Sequence, residues 1–141
     1  MKFSLNKEPM VSRRSIPESH VTYDLPNMPP SANNLYFNVP GRGRVKSSSY
    51  EDWLHQAGIL IRRQGIARMT QRVDVVVSLE DKHPRRDADN SLKPVMDLMV
   101  KLGVLPDDRS KFVRSVTAKW APIDGIRIDI RPYSHSATGA A

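Results

Sequence analysis

The sequence of 141 residues contains no cysteine, which excludes disulfide frameworks, thiol nucleophiles and cysteine-ligated zinc or iron–sulfur sites. Long hydrophobic runs are also absent, because the longest aliphatic runs, such as Val75–Val77, span only three residues. We therefore expect neither a membrane-spanning segment nor a signal peptide. Any chemistry must use the remaining polar side chains, which are those of Asp, Glu, His, Lys, Ser and Tyr.

The length corresponds to one ordinary domain. Hydrophobic residues make up 39% of the chain and cluster in short periodic runs, which is enough for a modest core. Residues 1–19 are polar and aperiodic, and they predict a flexible N-terminal extension. Residues 20–131 are predicted to form the domain, and residues 132–141 a disordered tail of small residues.

Charge is unevenly distributed along a chain whose net charge is +7. Residues 1–73 carry 11 basic and 5 acidic side chains, a net charge of +6, whereas residues 74–141 carry 11 and 10. Within the second part, the window from Asp87 to Asp108 holds five aspartates and two lysines, and basic residues flank it on both sides. Carboxylates that bind divalent cations inside a basic rim that holds DNA or RNA would explain this pattern. Helix capping and surface ion pairs are the alternative explanation.

The hydrophobic periodicity predicts an α+β fold with a mixed or antiparallel sheet of about four to five strands and two main helices. Alternating residues predict strands over 20–25, 35–38, 73–79, 112–120 and 126–131. Helical spacing predicts helices over 49–64, with a capping box that begins at Ser48, and over 92–102. The last two strands are interpreted as a hairpin that closes around residues 122–125.

The second helix carries the polar residues that could perform chemistry. Asp89, Lys93 and Asp97 are spaced i, i+4, i+8 and therefore lie along one stripe of the helix, and Asp87 precedes them. Asn90 or Ser91 could cap this helix, and Pro94 fits it best within the first turn. The turn after the helix could bring Asp107 and Asp108 back to its side. Three aspartates and a lysine suit metal-assisted phosphodiester hydrolysis, since carboxylates hold Mg²⁺ and lysine supplies a fixed cation.

These residues also form a composite motif. It runs Asp87-x-Asp89-Asn90-x-x-Lys93-x-x-x-Asp97, followed by Gly103-Val104 and then by Asp107-Asp108, and Pro29-Pro30-Ser31-Ala32-Asn33 lies upstream. The motif resembles that of the RusA-type Holliday junction resolvases, and the resemblance covers roughly residues 21–131.

The resemblance implies a Mg²⁺-dependent, structure-selective endodeoxyribonuclease, with Mn²⁺ as a possible substitute for Mg²⁺. Such an enzyme acts as a homodimer that cuts opposed strands of a four-way DNA junction in recombination and repair, in the cytoplasm of a bacterium or a phage-infected cell. The essential residues of that family match Asp87, Asp89, Lys93 and Asp108 here, and the three aspartates among them would hold the metal ion. Supporting roles are assigned to Asn90, Asp97 and Asp107.

Basic residues outside the acidic window are candidates for contacts with DNA phosphates. The glycine-rich turn after Pro40 exposes two arginines on a flexible backbone. The end of the first predicted helix carries two more, whose charge also suits the helix dipole. The candidate residues are Arg42, Arg44, Lys46, Arg62, Arg63, Arg85 and Arg86.

Two other functions remain open at this stage. One is a nucleic-acid-binding module without catalysis, in which the aspartates are structural and binding needs no metal. The other is a metal-dependent nuclease that acts on different branched DNA or on RNA. The clustering of acids favours a nuclease, because carboxylates in the path of DNA only repel it in a pure binding module.

Overall fold

The computed structural model describes residues 19–133, which form a four-stranded sheet, a separate two-stranded hairpin and two helices. The predicted α+β class, single domain and two main helices are confirmed. The elements are β1 (Val21–Leu25), β2 (Tyr36–Val39), β3 (Gly43–Lys46), α1 (Ser48–Gln64), β4 (Val73–Glu80), α2 (Leu92–Lys101), β5 (Val113–Ala121) and β6 (Ile126–Pro132), with short 3₁₀ helices at Ala32–Asn34 and Ala88–Ser91.

The main sheet is mixed and has the strand order β1-β6-β4-β5. Strand β4 pairs with β5 in parallel and with β6 antiparallel, and β6 also pairs antiparallel with β1. The predicted hairpin between the last two strands is therefore wrong, because β4 lies between β5 and β6. Helix α2 supplies the crossover that the parallel pair β4/β5 requires.

The core lies between one face of this sheet and the two helices. Every second residue of β4 points into it, from Val73 to Leu79, as do Ile126, Ile128 and Ile130 of β6. The buried residues of both helices belong to the same hydrophobic cluster. The alternation of apolar residues in the sequence thus identifies the buried face correctly.

The hairpin of β2 and β3 stands apart from the main sheet, and β3 is not predicted by the sequence analysis. The segment around Gly43 was interpreted as a turn, because two glycines and an arginine interrupt any apolar alternation. The turn is in fact confined to residues 40–42, and Arg44 and Lys46 continue as a strand. The backbone of Gly41 has a φ of 79°, which glycine adopts without strain.

Both helices begin close to the predicted residues. The N-cap of α1 is Ser47 rather than Ser48, and its hydroxyl accepts a hydrogen bond from the backbone N–H of Tyr50 (3.2 Å). Pro94 is the third residue of α2, where its missing N–H costs no hydrogen bond. The proline is therefore compatible with the helix that carries the acidic motif.

The predicted N-terminal extension, apart from residue 19, lies outside the described residues, as does the predicted tail beyond residue 133. The domain continues past the predicted boundary at residue 131, because β6 includes Pro132 and the backbone N–H of Tyr133 bonds to the carbonyl of Arg72 (2.7 Å). Across residues 19–133, neither helix has the length and hydropathy needed to cross a bilayer.

Candidate active site

The acidic loop, residues 81–91, follows the end of β4 and carries the first two predicted metal ligands. Asp87 and Asp89 are exposed, and neither side chain forms an ion pair or hydrogen bond with any other residue of the range 19–133. The half-buried Asn90 donates its backbone N–H to the carbonyl of Asp87 (3.1 Å). Neither Asn90 nor Ser91 caps α2 by its side chain, since the N-cap position is Ser91 and its hydroxyl makes no such bond.

Of the predicted polar stripe, Lys93 and Asp97 lie on α2, but Asp89 lies on the short 3₁₀ helix before it, so its placement on the same helix is wrong. The ammonium group of Lys93 lies 3.5 Å from Oδ2 of Asp97, one helical turn away. The same oxygen accepts a hydrogen bond of 2.6 Å from the hydroxyl of Tyr50 on α1. Asp97 therefore connects the two helices, and it holds the exposed Lys93 on the side that faces α1.

The last two aspartates follow the turn after α2, where Gly103 adopts a φ of 81°. The carboxylate of Asp107 accepts a hydrogen bond from the backbone N–H of Asp108 (2.7 Å) and pairs with Arg109 (2.6 Å). These contacts, the one with the backbone of Asp108 first, hold the pKa of Asp107 below its ordinary value. The carboxylate of Asp107 is thus bound by neighbouring residues of its own turn. Asp108, in contrast, is exposed and forms no ion pair with any described residue.

A cavity of about 450 Å³ brings several predicted site residues together. Lys93 and Asp108 line it, as the prediction that the turn folds back to the side of α2 requires. Lys46 of the hairpin and Lys101 at the end of α2 add positive charge to its wall. The remaining lining residues are Tyr36, Tyr50, Leu54, Asp97 and Val100. Residues from four separate segments of the chain, two of them in the acidic motif, therefore converge on one concave surface.

Asp87 and Asp89 do not line this cavity, so the predicted convergence of all three essential aspartates is only partly present. No three His, Asp or Glu side chains of residues 19–133 are grouped closely enough to hold a metal ion. The chemistry of the donors nevertheless fits Mg²⁺, because all three candidates offer hard carboxylate oxygens. Their carboxylates also lack a cationic partner among the described residues, unlike those of Asp97 and Asp107.

The predicted DNA-contacting residues fall on several surfaces. Arg42, Arg44 and Lys46 are exposed on the hairpin, and the guanidinium of Arg44 lies 4.3 Å from the ring centre of Tyr36. Arg62 and Arg63 are exposed in the last turn of α1. The hairpin is the basic surface that adjoins the cavity, since Lys46 belongs to both.

The two arginines of the acidic loop differ from each other. Arg85 is exposed, whereas Arg86 is half-buried and donates to the carbonyl of Pro29 (3.1 Å) and to the hydroxyl of Ser91 (3.2 Å). Burial lowers the pKa of Arg86, and its Nε–H has no partner among the described residues. Arg86 therefore ties the Pro29 segment to the acidic loop, a structural contact that the sequence analysis did not predict.

Tyr50 is the residue of this site that the sequence analysis missed. Its ring is fully buried, and it packs edge-on against Tyr36 at 5.8 Å between ring centres. Burial first, then the hydrogen bond to Asp97 and its charge, raise the pKa of Tyr50 far above the ordinary value. Its position in phase with Trp53 and Leu54 predicts burial, but no local pattern identifies a hydrogen-bond partner 47 residues away.

A scan of the chain against protein-family models finds no match, and a search of curated proteins finds no match either.

Proposed function

We propose that this protein is a Mg²⁺-dependent, structure-selective endodeoxyribonuclease that resolves four-way DNA junctions. The observation that carries the proposal is that Lys93 and Asp108, fifteen residues apart in the acidic motif, line one cavity together with the basic residues Lys46 and Lys101. Metal-assisted hydrolysis of a phosphodiester uses both features, because cations hold its anionic oxygens and carboxylates would hold the metal ion.

In this proposal, Asp87, Asp89 and Asp108 would hold Mg²⁺, which would supply an activated water and neutralise charge on the reacting phosphate. Mn²⁺ has the same preference for oxygen ligands and is expected to substitute. Lys93 contributes a fixed positive charge beside the scissile phosphate, and its ion pair with Asp97 restrains it. Asn90 and Asp107 support the two ends of the metal-binding segment through their contacts with neighbouring backbone.

The basic hairpin, residues 36–46, is proposed to hold the DNA backbone beside the cavity. Its register places Arg44 and Lys46 on the same face as Tyr36, so two cations and one aromatic ring present themselves together. The exposed Arg62, Arg63 and Arg85 are proposed as further phosphate contacts outside the hairpin. A four-way junction presents two symmetric cleavage points, and a homodimer in the cytoplasm would supply one site for each.

A second candidate function is favoured by one observation. Because no three carboxylate or imidazole groups of the described residues are grouped as a metal site, the chain could bind branched nucleic acid without cutting it. Such a module would bind equally well with Mg²⁺ and with EDTA, and it would gain affinity when an aspartate near the DNA is neutralised.

The deciding experiment incubates the full chain with a labelled four-way junction, a linear duplex, a flap, a fork and a folded RNA, each in Mg²⁺ and in EDTA. We expect paired nicks in the junction, dependent on Mg²⁺ or Mn²⁺, and little cutting of the duplex. Cutting of flaps or RNA in preference to the junction would show that the proposed substrate is wrong. Metal-independent binding without cutting would establish the binding module instead.

Asp89→Asn and Asp108→Asn are expected to abolish cleavage while junction binding persists or tightens. Each substitution removes a hard anionic ligand and also some repulsion toward phosphate. The matched control is Asp81→Asn, which changes an exposed aspartate at the start of the same loop that lies outside the motif. Undiminished cutting by either motif variant would refute the metal assignment.

A further inference from the structure

Within residues 19–133, one side-chain hydrogen bond joins the two helices at the candidate site. The hydroxyl of Tyr50 donates to Oδ2 of Asp97 at 2.6 Å, and this oxygen is also the one nearest to the ammonium group of Lys93, at 3.5 Å. One carboxylate oxygen therefore receives a buried donor on one side and an exposed cation on the other.

The two donors differ in their freedom to move. Tyr50 is 0% exposed and belongs to the core cluster, so its hydroxyl is a fixed point. The Lys93 side chain is 53% exposed and the Asp97 side chain 31%. Without a fixed donor, an exposed lysine and a half-exposed aspartate one helical turn apart form only a weak and mobile pair.

The ring of Tyr50 is also held from a second direction. Tyr36 of the hairpin packs against it edge-on, and the guanidinium of Arg44 lies over the ring of Tyr36. The hydroxyl can therefore reach Asp97 only in the orientation that this packing allows. Burial first, then the hydrogen bond to Asp97, raise the pKa of Tyr50, which keeps its hydroxyl protonated and able to donate.

We infer that Tyr50 is a positioning residue, which fixes the Asp97 carboxylate by its hydroxyl and thereby holds Lys93 at the wall of the cavity that Asp108 shares. This inference rests on the proposed function, since it gives Lys93 the role of the fixed cation. It adds a residue outside the acidic motif, from a different helix, to the apparatus that orients that cation.

The test replaces Tyr50 by phenylalanine, which removes the hydroxyl and keeps the ring packing. Single-turnover cleavage of a four-way junction is expected to slow roughly tenfold, the size of effect that loss of an orienting contact commonly has. The dissociation constant for the junction is expected to stay within about twofold, because Tyr50 is 0% exposed and offers almost no accessible surface to DNA. An unchanged cleavage rate would overturn the inference.

Tyr23→Phe is the matched control for a merely structural effect. The buried hydroxyl of Tyr23 donates to the carbonyl of Gly65 (2.7 Å) and accepts from the N–H of Ala67 (2.8 Å), away from the cavity. This variant is expected to lower the melting temperature and leave cleavage unchanged at a temperature where both variants are folded. Equal slowing by both variants would show that Tyr50 acts through general stability, and would overturn the inference.

A double-mutant cycle and a measurement without DNA complete the test. In the Lys93→Ala background, Tyr50→Phe should slow cleavage no further, whereas additive losses would contradict action through Lys93. In the protein without DNA, ¹³C relaxation of the lysine side chains should show a lower order parameter at Lys93 in Tyr50→Phe than in the wild type. The order parameter of the control Lys82, which pairs with Asp124, should not change. If the wild type cuts no branched DNA, the proposed function fails, and an unchanged order parameter at Lys93 would separately refute the positioning role.

Discussion

Gly125 lies in the connection between β5 and β6 that crosses over the end of β4, and its replacement by alanine tests how closely this connection approaches the end of β1. Its backbone has a φ of 74°, and an added Cβ would lie 2.0 Å from the carbonyl oxygen of Leu25 and 2.6 Å from the carbonyl carbon of Pro26. Both contacts are with backbone, which cannot rotate away. The positive φ costs a non-glycine residue about 1 to 2 kcal/mol, and displacement of the backbone adds a further cost, for a total of about 4 kcal/mol or more.

Gly41→Ala is the matched substitution. Gly41 has nearly the same φ, 79°, but an added Cβ there meets no atom within 4 Å. Its cost is therefore limited to the conformational part, about 1 to 2 kcal/mol. The difference between the two variants isolates the close approach of the β5–β6 connection to the end of β1.

The assay is urea unfolding followed by circular dichroism, with the free energy extrapolated to water. The free energy of unfolding is expected to fall by about 1 to 2 kcal/mol in Gly41→Ala and by about 4 kcal/mol in Gly125→Ala. The second loss is a large part of the roughly 5 to 15 kcal/mol that is typical of a domain. If Gly125→Ala is no less stable than Gly41→Ala, the close approach of this connection to the end of β1 is wrong.

Three further predictions concern charge. Lys93→Ala should lower the rate of single-turnover cleavage of a four-way junction by roughly 100-fold. The melting temperature should stay unchanged, because alanine favours a helix, and a large decrease in it would show that Lys93 has a structural role instead. Replacement of Arg42, Arg44 and Lys46 by glutamine should weaken junction binding and flatten the plot of log affinity against log salt by about 0.9 per lost contact, whereas an unchanged slope would place the DNA on another surface. Glu80→Gln should destabilise the fold by about 0.5 to 1.5 kcal/mol at pH 7, because glutamine can still accept the backbone N–H of Gly125 but lacks the charge that strengthens this bond and the contact with His83. These two contacts, the one with Gly125 first, hold the pKa of Glu80 below the ordinary 4.5. That difference in unfolding free energy should be full above pH 4.5 and disappear as the pH falls through the lowered pKa, so equal destabilisation at pH 3 and pH 7 would contradict it.

The sequence predicted the elements of this fold better than their pairing. Alternating valines and isoleucines identify β4 and β6 and their buried face, because the period of a strand is a local property. The choice of partner depends on long-range packing, and a short connection such as residues 122–125 resembles a hairpin whether or not a third strand lies between. Strand β3 was missed for a local reason, since its glycine, arginine and lysine lack the alternation of a buried strand.

For the candidate site, spacing predicted that Lys93 and Asp97 share a helix stripe and that the turn after α2 returns Asp108 to the side of this helix, but it placed Asp89 on the stripe wrongly. It did not predict Tyr50, whose hydroxyl reaches α2 from another helix. It also did not predict that Arg86 turns inward, because an arginine beside Arg85 in a basic segment has no local sign of burial. Contacts between distant segments depend on the packing of helix against helix and loop against loop, which periodicity does not encode.

The end of β4 explains why the acidic loop can present two free carboxylates in a stable protein. Glu80, the last residue of the strand, accepts the backbone N–H of Gly125 (2.7 Å) and pairs with His83 (2.8 Å), while the backbone N–H of Asp81 donates to Ala121 (3.1 Å). The beginning of the loop is thus fixed to the connection that crosses β4. Farther along, Arg86 fixes the loop to the Pro29 segment, and α2 begins directly after it. Because both ends are held by buried or backbone contacts, the segment between them can leave its aspartates without partners at little cost to the fold, which is the condition that a carboxylate site for a cation requires.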